Sequence, residues 1–405
     1  MIRKSVSGPL LKLAAVLACV AGYLCLTGCV GCERSKSPGE IDGVVAGGGF
    51  LLHGLDFNQC IGPHCQSSDV GTWQQQLIDT HTAVSTSSLI FAANSTDGFG
   101  PFHYRLYLPG TGGVEEINLD SAIDTPGTPG TTRTISTGTY PVFAVWGYGG
   151  EILASHTSPP AVSVIANPEN LSGEATTVTT IPLAAGRQPT FITGGNVAAD
   201  PHIYVISQSD LVLIGAASGK ELASVPVDSG VDDLAYSDYS NYIVAPSIAN
   251  DVVYVFVDSS DNTPPSPKQY ALSNGGTSNG IINIPNGSPV NVALGNYGKT
   301  AYVTIYTGEE GMDAGFVDVI DLDSGQITNQ IQVGHCPTPI AIVRASQQGS
   351  GSTEHTVVVG NQCEPLANNA FGGSLTRIDI ASLKVIDTTP LSQGIPNAIA
   401  TFGPR

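Results

Sequence analysis

Four groups of side chains in this 405-residue chain are of types and spacings that could do chemistry. The first is Cys60-Ile-Gly-Pro-His-Cys65, two thiols and an imidazole in close succession. Covalent haem attachment needs a histidine after the second cysteine of C-x-x-C-H, and here His64 precedes Cys65, so haem is rejected. Zinc would need further ligands at close spacing, and none is visible. The second group is Gly334-His335-Cys336 with Cys363 further on. The third is a scattered set of histidines, His81, His103, His156 and His335, which could bind a metal or serve as a base if the fold made them converge. The fourth is acidic. Asp321 and Asp323 resemble a fragment of a calcium loop, but the D-x-D-x-D-G spacing with a later Glu is missing, so a turn is expected. Glu309, Glu310 and Asp313 in "TGEEGMDAG" could meet a cationic ligand or simply solvate a loop, and the second reading is preferred. No G-x-S-x-G, H-E-x-x-H or phosphate-cradling glycine loop occurs. No nucleophile with its base, no metal set and no cofactor is therefore expected.

The elements that must hold these residues are strands. Charged residues make up 12% of the chain, and there are 48 Gly and 27 Pro. No long segment is apolar at i, i+3, i+4 and i+7. Short apolar runs broken by Gly, Pro, Asn and Asp recur instead, the pattern of an all-β chain. The runs repeat as a unit. Residues 211–227 ("LVLIGAASGKELASVPV"), 317–333 ("VDVIDLDSGQITNQIQV") and 375–391 ("LTRIDIASLKVIDTTPL") each read as strand, turn, strand. Upstream of each lies another strand ("IYVIS", "AYVTIY", "TVVVGN"), and before that a fourth, often opened by Pro. The unit is thus A-B-C-D, with apolar strand A innermost. Strand A is expected to begin at Thr82, Pro141, Pro189, Asp232, Pro289, Pro339 and Pro396. A four-stranded blade needs about 40–45 residues, so each interval holds one blade with loop insertions.

Four-stranded units arranged radially make a β-propeller. The last A strand, 396–402, has no successors, while "DGVVAGGGFLLHGLDFNQ" and "TWQQQLIDT" near the other end have B, C and D character. The expectation is a seven-bladed all-β propeller of four-stranded antiparallel blades over 42–405, its closing blade shared between the N- and C-terminal strands. Six blades is the runner-up, if 44–57 is only an arm. Low-complexity stretches fall in connections: 121–133 and 261–267 between C and D, 345–353 between A and B, and 273–280 before an A strand. The pattern "AYVT…VDVIDLDSGQITNQIQVG…P" resembles the YVTN repeat family of propellers. That resemblance is one of fold, and its members' functions are too varied for one to carry over.

Before the repeats, Arg3, Lys4 and Lys12 precede an apolar run from Leu13 to Leu26, too short to span a bilayer and right for a signal peptide. The run ends in Leu26-Thr27-Gly28-Cys29, which resembles the lipobox of bacterial lipoproteins. The resemblance implies a signal peptide over 1–28, a lipidated Cys29 and a tether over 29–41. With Val30 rather than Asp after the cysteine, it implies the outer membrane. Several acyl chains anchor firmly where one would not, at about 0.8 kcal/mol per buried CH₂. The whole chain has a formal charge of −19, and loss of the signal would leave 12 Lys+Arg against 34 Asp+Glu. Nucleic acid is excluded as a partner, because no basic stripe exists to displace counterions. Only the lipid should touch the membrane.

An oxidising compartment makes cysteine pairing the default. D–A and B–C connections share one face of a propeller, which would bring Cys336 and Cys363 of one blade together. A disulfide is expected there, worth about 3 kcal/mol for a loop of this size. Cys60 and Cys65 are expected to pair locally. The B–C connections assigned to 95–102, 306–316 and 360–374 offer Phe99, Phe102, Tyr306, Phe316 and Phe371 among Gly, Asn and the acids Glu309 and Glu310. Aromatics in polar loops on a rigid scaffold are common binding material. They can also fold back over blade edges. The function expected is a non-enzymatic binding or assembly module for an envelope protein or glycan. An enzyme or metalloprotein using the central channel is the alternative.

Overall fold

The computed structural model describes residues 43–46, 51–56, 74–79, 90–94, 103–120, 131–138, 141–148, 151–168, 175–195, 201–259, 262–271, 277–295, 297–308, 314–347, 351–365, 371–391 and 394–401. Among them every named element is a strand. The chain opens with β1 (Gly43–Ala46), β2 (Leu51–Asp56) and β3 (Gln74–Asp79). Antiparallel meanders follow: β4 (Ile90–Asn94), β5 (His103–Gly110), β6 (Gly113–Asn118) and β7 (Thr131–Ser136), then β8 (Ala144–Tyr148), β9 (Glu151–Thr157), β10 (Pro160–Ala166) and β11 (Thr177–Pro182). The next comprises β12 (Pro189–Gly195), β13 (His202–Ser207), β14 (Asp210–Gly215) and β15 (Lys220–Pro226).

After these come β16 (Ala235–Ser237), β17 (Tyr242–Ser247) and β18 (Val252–Val257), whose outer partner is split. β19 (Ser266–Pro267) pairs with one end of β18 and β22 (Ile281–Asn283) with the other. Between them the chain makes a separate hairpin, β20 (Gln269–Ala271) with β21 (Thr277–Asn279). Residues 277–279 thus belong to an inserted hairpin, and β22 intervenes before the next inner strand. The last two complete meanders are β23 (Ser288–Gly295), β24 (Thr300–Tyr306), β25 (Ala314–Asp321) and β26 (Gln326–His335), and β27 (Pro337–Gln347), β28 (Gly351–Pro365), β29 (Phe371–Asp379) and β30 (Lys384–Pro390).

The final strand, β31 (Ala398–Thr401), pairs antiparallel with β1, Val44 opposite Ala400 and Val45 opposite Ile399. The first sheet therefore takes its inner strand from the far end of the chain. Inner strands touch in succession: β4 with β8, β8 with β12, β12 with β16, β16 with β23, β23 with β27, and β27 with β31. β31 in turn touches β4. Four-stranded antiparallel sheets set around a common axis are the blades of a β-propeller.

The core lies between neighbouring sheets. Leu153, Val162 and Ile181 of one sheet pack on Ile192, Val205 and Ile214 of the next. Tyr204, Leu211 and Leu213 pack on Ile243, Ala245 and Phe256, and Val317, Val319 and Ile331 on Val357, Val359 and Ile378. Second strands are covered on both faces, so β13 ("HIYVIS") and β17 ("YIVAPS") are buried at every position. Outer strands such as β26 are mostly exposed at their start. Each fully buried aliphatic or aromatic side chain contributes about 1.5–3 kcal/mol.

An alternating meander places A–B and C–D connections on one rim and B–C and D–A connections on the other. One expectation of strand position fails here. The first complete meander begins at Ile90, not near Thr82, so 95–102 joins an inner strand to its neighbour. It is an A–B connection, not B–C. The Gly-, Ser- and Thr-rich sequence around it carries too little period-2 signal to set the phase.

Because β31 supplies the inner edge of the first sheet, a chain ended after Gly394 leaves β1 unpaired on that side. Thermal unfolding followed by far-UV circular dichroism should shift downward by ~5 °C or more. An unchanged transition would show that this pairing carries no stability.

Candidate functional site

On the B–C/D–A rim, His335 closes β26 and Cys336 makes the step to β27. Cys336 and Cys363 form a disulfide, with Cα atoms 5.3 Å apart and a sequence separation of 27. The expected staple is present, tying a D–A step to the far end of a B strand. Beside it Glu364 holds His335 twice. Its Oε1 accepts the His335 backbone N–H at 3.1 Å, and its Oε2 lies 3.3 Å from Nδ1. Ser374 Oγ donates to the same carboxylate at 3.0 Å. His335 is thus held against this strand end.

His156 does not lie in a connection. It sits within β9, fully buried, with Nδ1 3.1 Å from the Pro141 carbonyl oxygen and Nε2 2.8 Å from Ser163 Oγ. His103 opens β5 on the opposite rim, and His81 lies outside the described residues. The three described histidines of the set therefore do not converge. Among the described residues no three His, Cys, Asp or Glu side chains stand close enough to hold a metal ion.

The other expected site residues are dispersed. Tyr306 closes β24, half-buried, and Phe316 packs against the cluster of Tyr242, Val255, Ile305 and Ile320. Phe371 opens β29. Cys29, Cys60, Cys65, Phe99, Phe102, Glu309 and Glu310 lie outside the described residues. Asp321 behaves as a turn former: its Oδ1 accepts the N–H groups of Asp323 and Ser324, both at 2.9 Å.

Several carboxylates hold the sheets in place. In the D–A step after β15, Asp228 accepts from Ser247, Asn250, Tyr254 and the Gly230 N–H. Burial opposes its ionisation, but these four donors outweigh it and hold the carboxyl below its ordinary range. Asp233 joins successive inner strands, accepting the Leu234 N–H and, at 2.9 Å, the Val292 N–H; burial pushes it up. Asp318 in β25 is fully buried, and burial pushes it up. Gln330 donates to Asp318 Oδ1 at 2.9 Å, while its Oδ2 has no partner among the described residues.

A buried polar cluster joins two sheets that no sequence pattern links. It lies on the A–B/C–D rim between the β12–β15 and β16–β19 sheets. His202 opens β13 and Asp258 follows β18. Both side chains are sealed from solvent, and His202 Nδ1 lies 2.9 Å from Asp258 Oδ1. Nε2 lies 2.9 Å from Asn262 Oδ1, and Tyr204 OH is 3.2 Å from Nδ1. Tyr236 OH donates to Asp258 Oδ2 at 3.3 Å and its ring stacks on Tyr204. Burial, reinforced by Asp258, drives the Tyr204 hydroxyl well above its ordinary value, so it stays protonated. The Tyr236 ring fits because Gly195 has no side chain; a Cβ there would overlap it. The partners span 56 positions of sequence, and nothing local announces them.

Comparison with known proteins supports the fold alone. No family model matches the sequence, nor does any curated protein. A protein from Lactobacillus plantarum is similar at 11% identity and a TM-score of 0.56, over 89% of this chain and 99% of that one. A proposed 6-phosphogluconolactonase from Bacteroides fragilis is similar at 12% identity and a TM-score of 0.53, over 91% and 99%. The β-propeller domain of Swd1 from Myceliophteria thermophila aligns at 11% identity over 78% and 90%, with a TM-score of 0.47.

Two outcomes follow from the buried charges. His202→Ala leaves the Asp258 carboxylate buried without its main partner and should cost about 3–5 kcal/mol in urea unfolding. A loss under ~1 kcal/mol would mean the pair contributes no more than an exposed one. Asp318 has the opposite sign. Its folded state binds a proton more tightly than its unfolded state, so its cost is greatest at neutral pH and fades as pH falls towards the ordinary carboxylate range. Asp318→Asn should therefore unfold at a higher temperature than the parent at about pH 7.5, with the gap closing near pH 4. A gap that is constant or widens with acid would refute the assignment.

Proposed function

We propose that this protein is a lipid-anchored, seven-bladed β-propeller of the YVTN type on the bacterial envelope, acting as a non-enzymatic binding or assembly module. The blade number is supported by the closed succession of inner-strand contacts from β4 through β31 and back to β4. The YVTN reading is supported by the "AYVTIY" strand β24 leading into the "GFVDVIDLDSG" strand and turn of β25. The lipid anchor rests on Leu26-Thr27-Gly28-Cys29 and the flanking signal pattern. The partner is an envelope protein or glycan, and the compartment the outer membrane.

One observation carries binding over catalysis. His156 and His202, imidazoles suited to act as bases, are buried and engaged in interstrand and intersheet hydrogen bonds. A general base must reach its substrate, and these two reach only other parts of the scaffold. The rims instead present side chains from a rigid frame, as binding proteins do.

The test has two parts. With its own signal sequence in a bacterial host, the parent protein should fractionate with membranes and Cys29→Ser should appear in the soluble envelope fraction. Continued tight membrane attachment of Cys29→Ser would sink the anchor. Metal analysis of the purified protein should find less than one equivalent of any transition metal; a stoichiometric metal would overturn the binding-module reading.

A further inference from the structure

Two tight turns on the A–B/C–D rim carry the most exposed large aromatics among the described residues. Tyr239 is 78% exposed and Tyr297 60%. The first lies between β16 and β17, the second between β23 and β24, so successive inner strands each deliver one ring. The rings meet edge-to-face, centroids 5.0 Å apart and planes at 72°. Together they form an open aromatic corner.

The corner is built rather than incidental. Tyr297 and Gly298 have φ of 56° and 74°, the mirror-image hairpin turn that favours Asn, Asp or Gly at its first central position. A bulky ring there is strained, and strain of this kind gathers at functional positions. Gly298 has no room for a side chain, because a Cβ would overlap Ser237 and Ser240. Ser240 Oγ donates to the Gly298 carbonyl at 2.9 Å, which locks the two turns together. A ring pair fixed before binding loses little freedom when a ligand arrives.

The surroundings select the ligand. Lys299 Nζ lies 3.1 Å from Asp323 Oδ2, and both side chains are about half exposed, at 56% and 50%. Tyr242 OH donates to Asp323 at 2.8 Å, and Lys268 donates to Tyr242 OH at 2.6 Å. Lys268 and Lys299 stand against Asp238, Asp321 and Asp323, the Asp321 carboxylate being held on the amides of its own turn, so the patch keeps one excess negative charge. Such a patch, on a chain of net charge −19, repels an anionic partner. Two rings are also far smaller than the 20–30 residues a side of a stable protein interface. A flat C–H face lying on one ring, with hydroxyls reaching the Lys299–Asp323 pair, fits both limits.

We propose that Tyr239 and Tyr297 form a binding site for a neutral saccharide chain. This rests on the binding-module reading and deepens it, placing the ligand on the rim opposite Tyr306. The probes are maltohexaose, cellohexaose and chitohexaose, titrated against the full mature protein by calorimetry. At least one should bind, and Tyr239→Ala and Tyr297→Gly should each weaken it by about tenfold or more. Tyr297→Gly suits the left-handed turn, so a loss there with unchanged thermal unfolding is a loss of contact. Tyr306→Ala should leave binding unchanged. Binding that falls with Tyr306→Ala but survives both turn variants would overturn this site and leave the binding-module reading standing. Absence of binding by all three probes would overturn the saccharide assignment. So would an envelope protein whose capture by the parent is lost in Tyr239→Ala. Failure of the wider reading would show separately, as stoichiometric metal.

Discussion

The antiparallel pairing of β31 with β1 is the constraint on which the arrangement depends. Every other complete sheet is made from consecutive strands and could in principle form locally. The first sheet cannot, because its inner strand lies more than 300 positions beyond its neighbour. Until that pairing forms, β1 has an open edge, and open edges recruit other chains. Once it forms, β31 lies between β27 and β4. Ile399 then packs against the Val343, Val358 and Leu375 cluster, so the closing strand also joins the apolar core.

Closure explains how polar groups are used elsewhere. Sheets packed face to face leave little polar surface inside, and each buried polar group needs a partner from a neighbouring sheet. His202 with Asp258 and Asp233 with the Val292 N–H are bonds of this kind between blades. His156 with Ser163 serves within one sheet. These side chains look chemically capable in isolation, yet their geometry makes them fasteners. The described turns on the rims differ, carrying side chains that meet water, such as Tyr239 and Tyr297. The Cys336–Cys363 bridge reinforces one rim, and the Ser240–Gly298 contact locks turns on the other.

Much of the fold was legible from periodicity. Runs such as "HIYVIS" and "VVYVFV" are apolar because strands sandwiched between sheets are covered on both faces. "DSG" marks a hairpin wherever it interrupts such runs. The sharing of one sheet between the chain's two ends was legible too, since a lone final strand needs neighbours and the start of the chain had three to offer. So was the disulfide, because strand order alone puts a D–A step and a B–C step on the same rim. The split outer strand of the β16–β19 sheet was not legible. β19 and β22 are two and three residues long, below the length at which alternation can be seen.

The amino-acid sequence by itself determined the strand class, the repeating unit, the sharing of a sheet between the two ends and the Cys336–Cys363 bridge, because all of these follow from the order of residues along the chain. Tertiary structure decided which rim each connection occupies near the start, where glycine and serine obscure the phase. It also decided that His202 meets Asp258 and that Tyr239 meets Tyr297. Those pairs are 56 and 58 positions apart and belong to different sheets. Their meeting is set by the rotation of one sheet against the next, a property of packed faces that no local pattern of residues encodes.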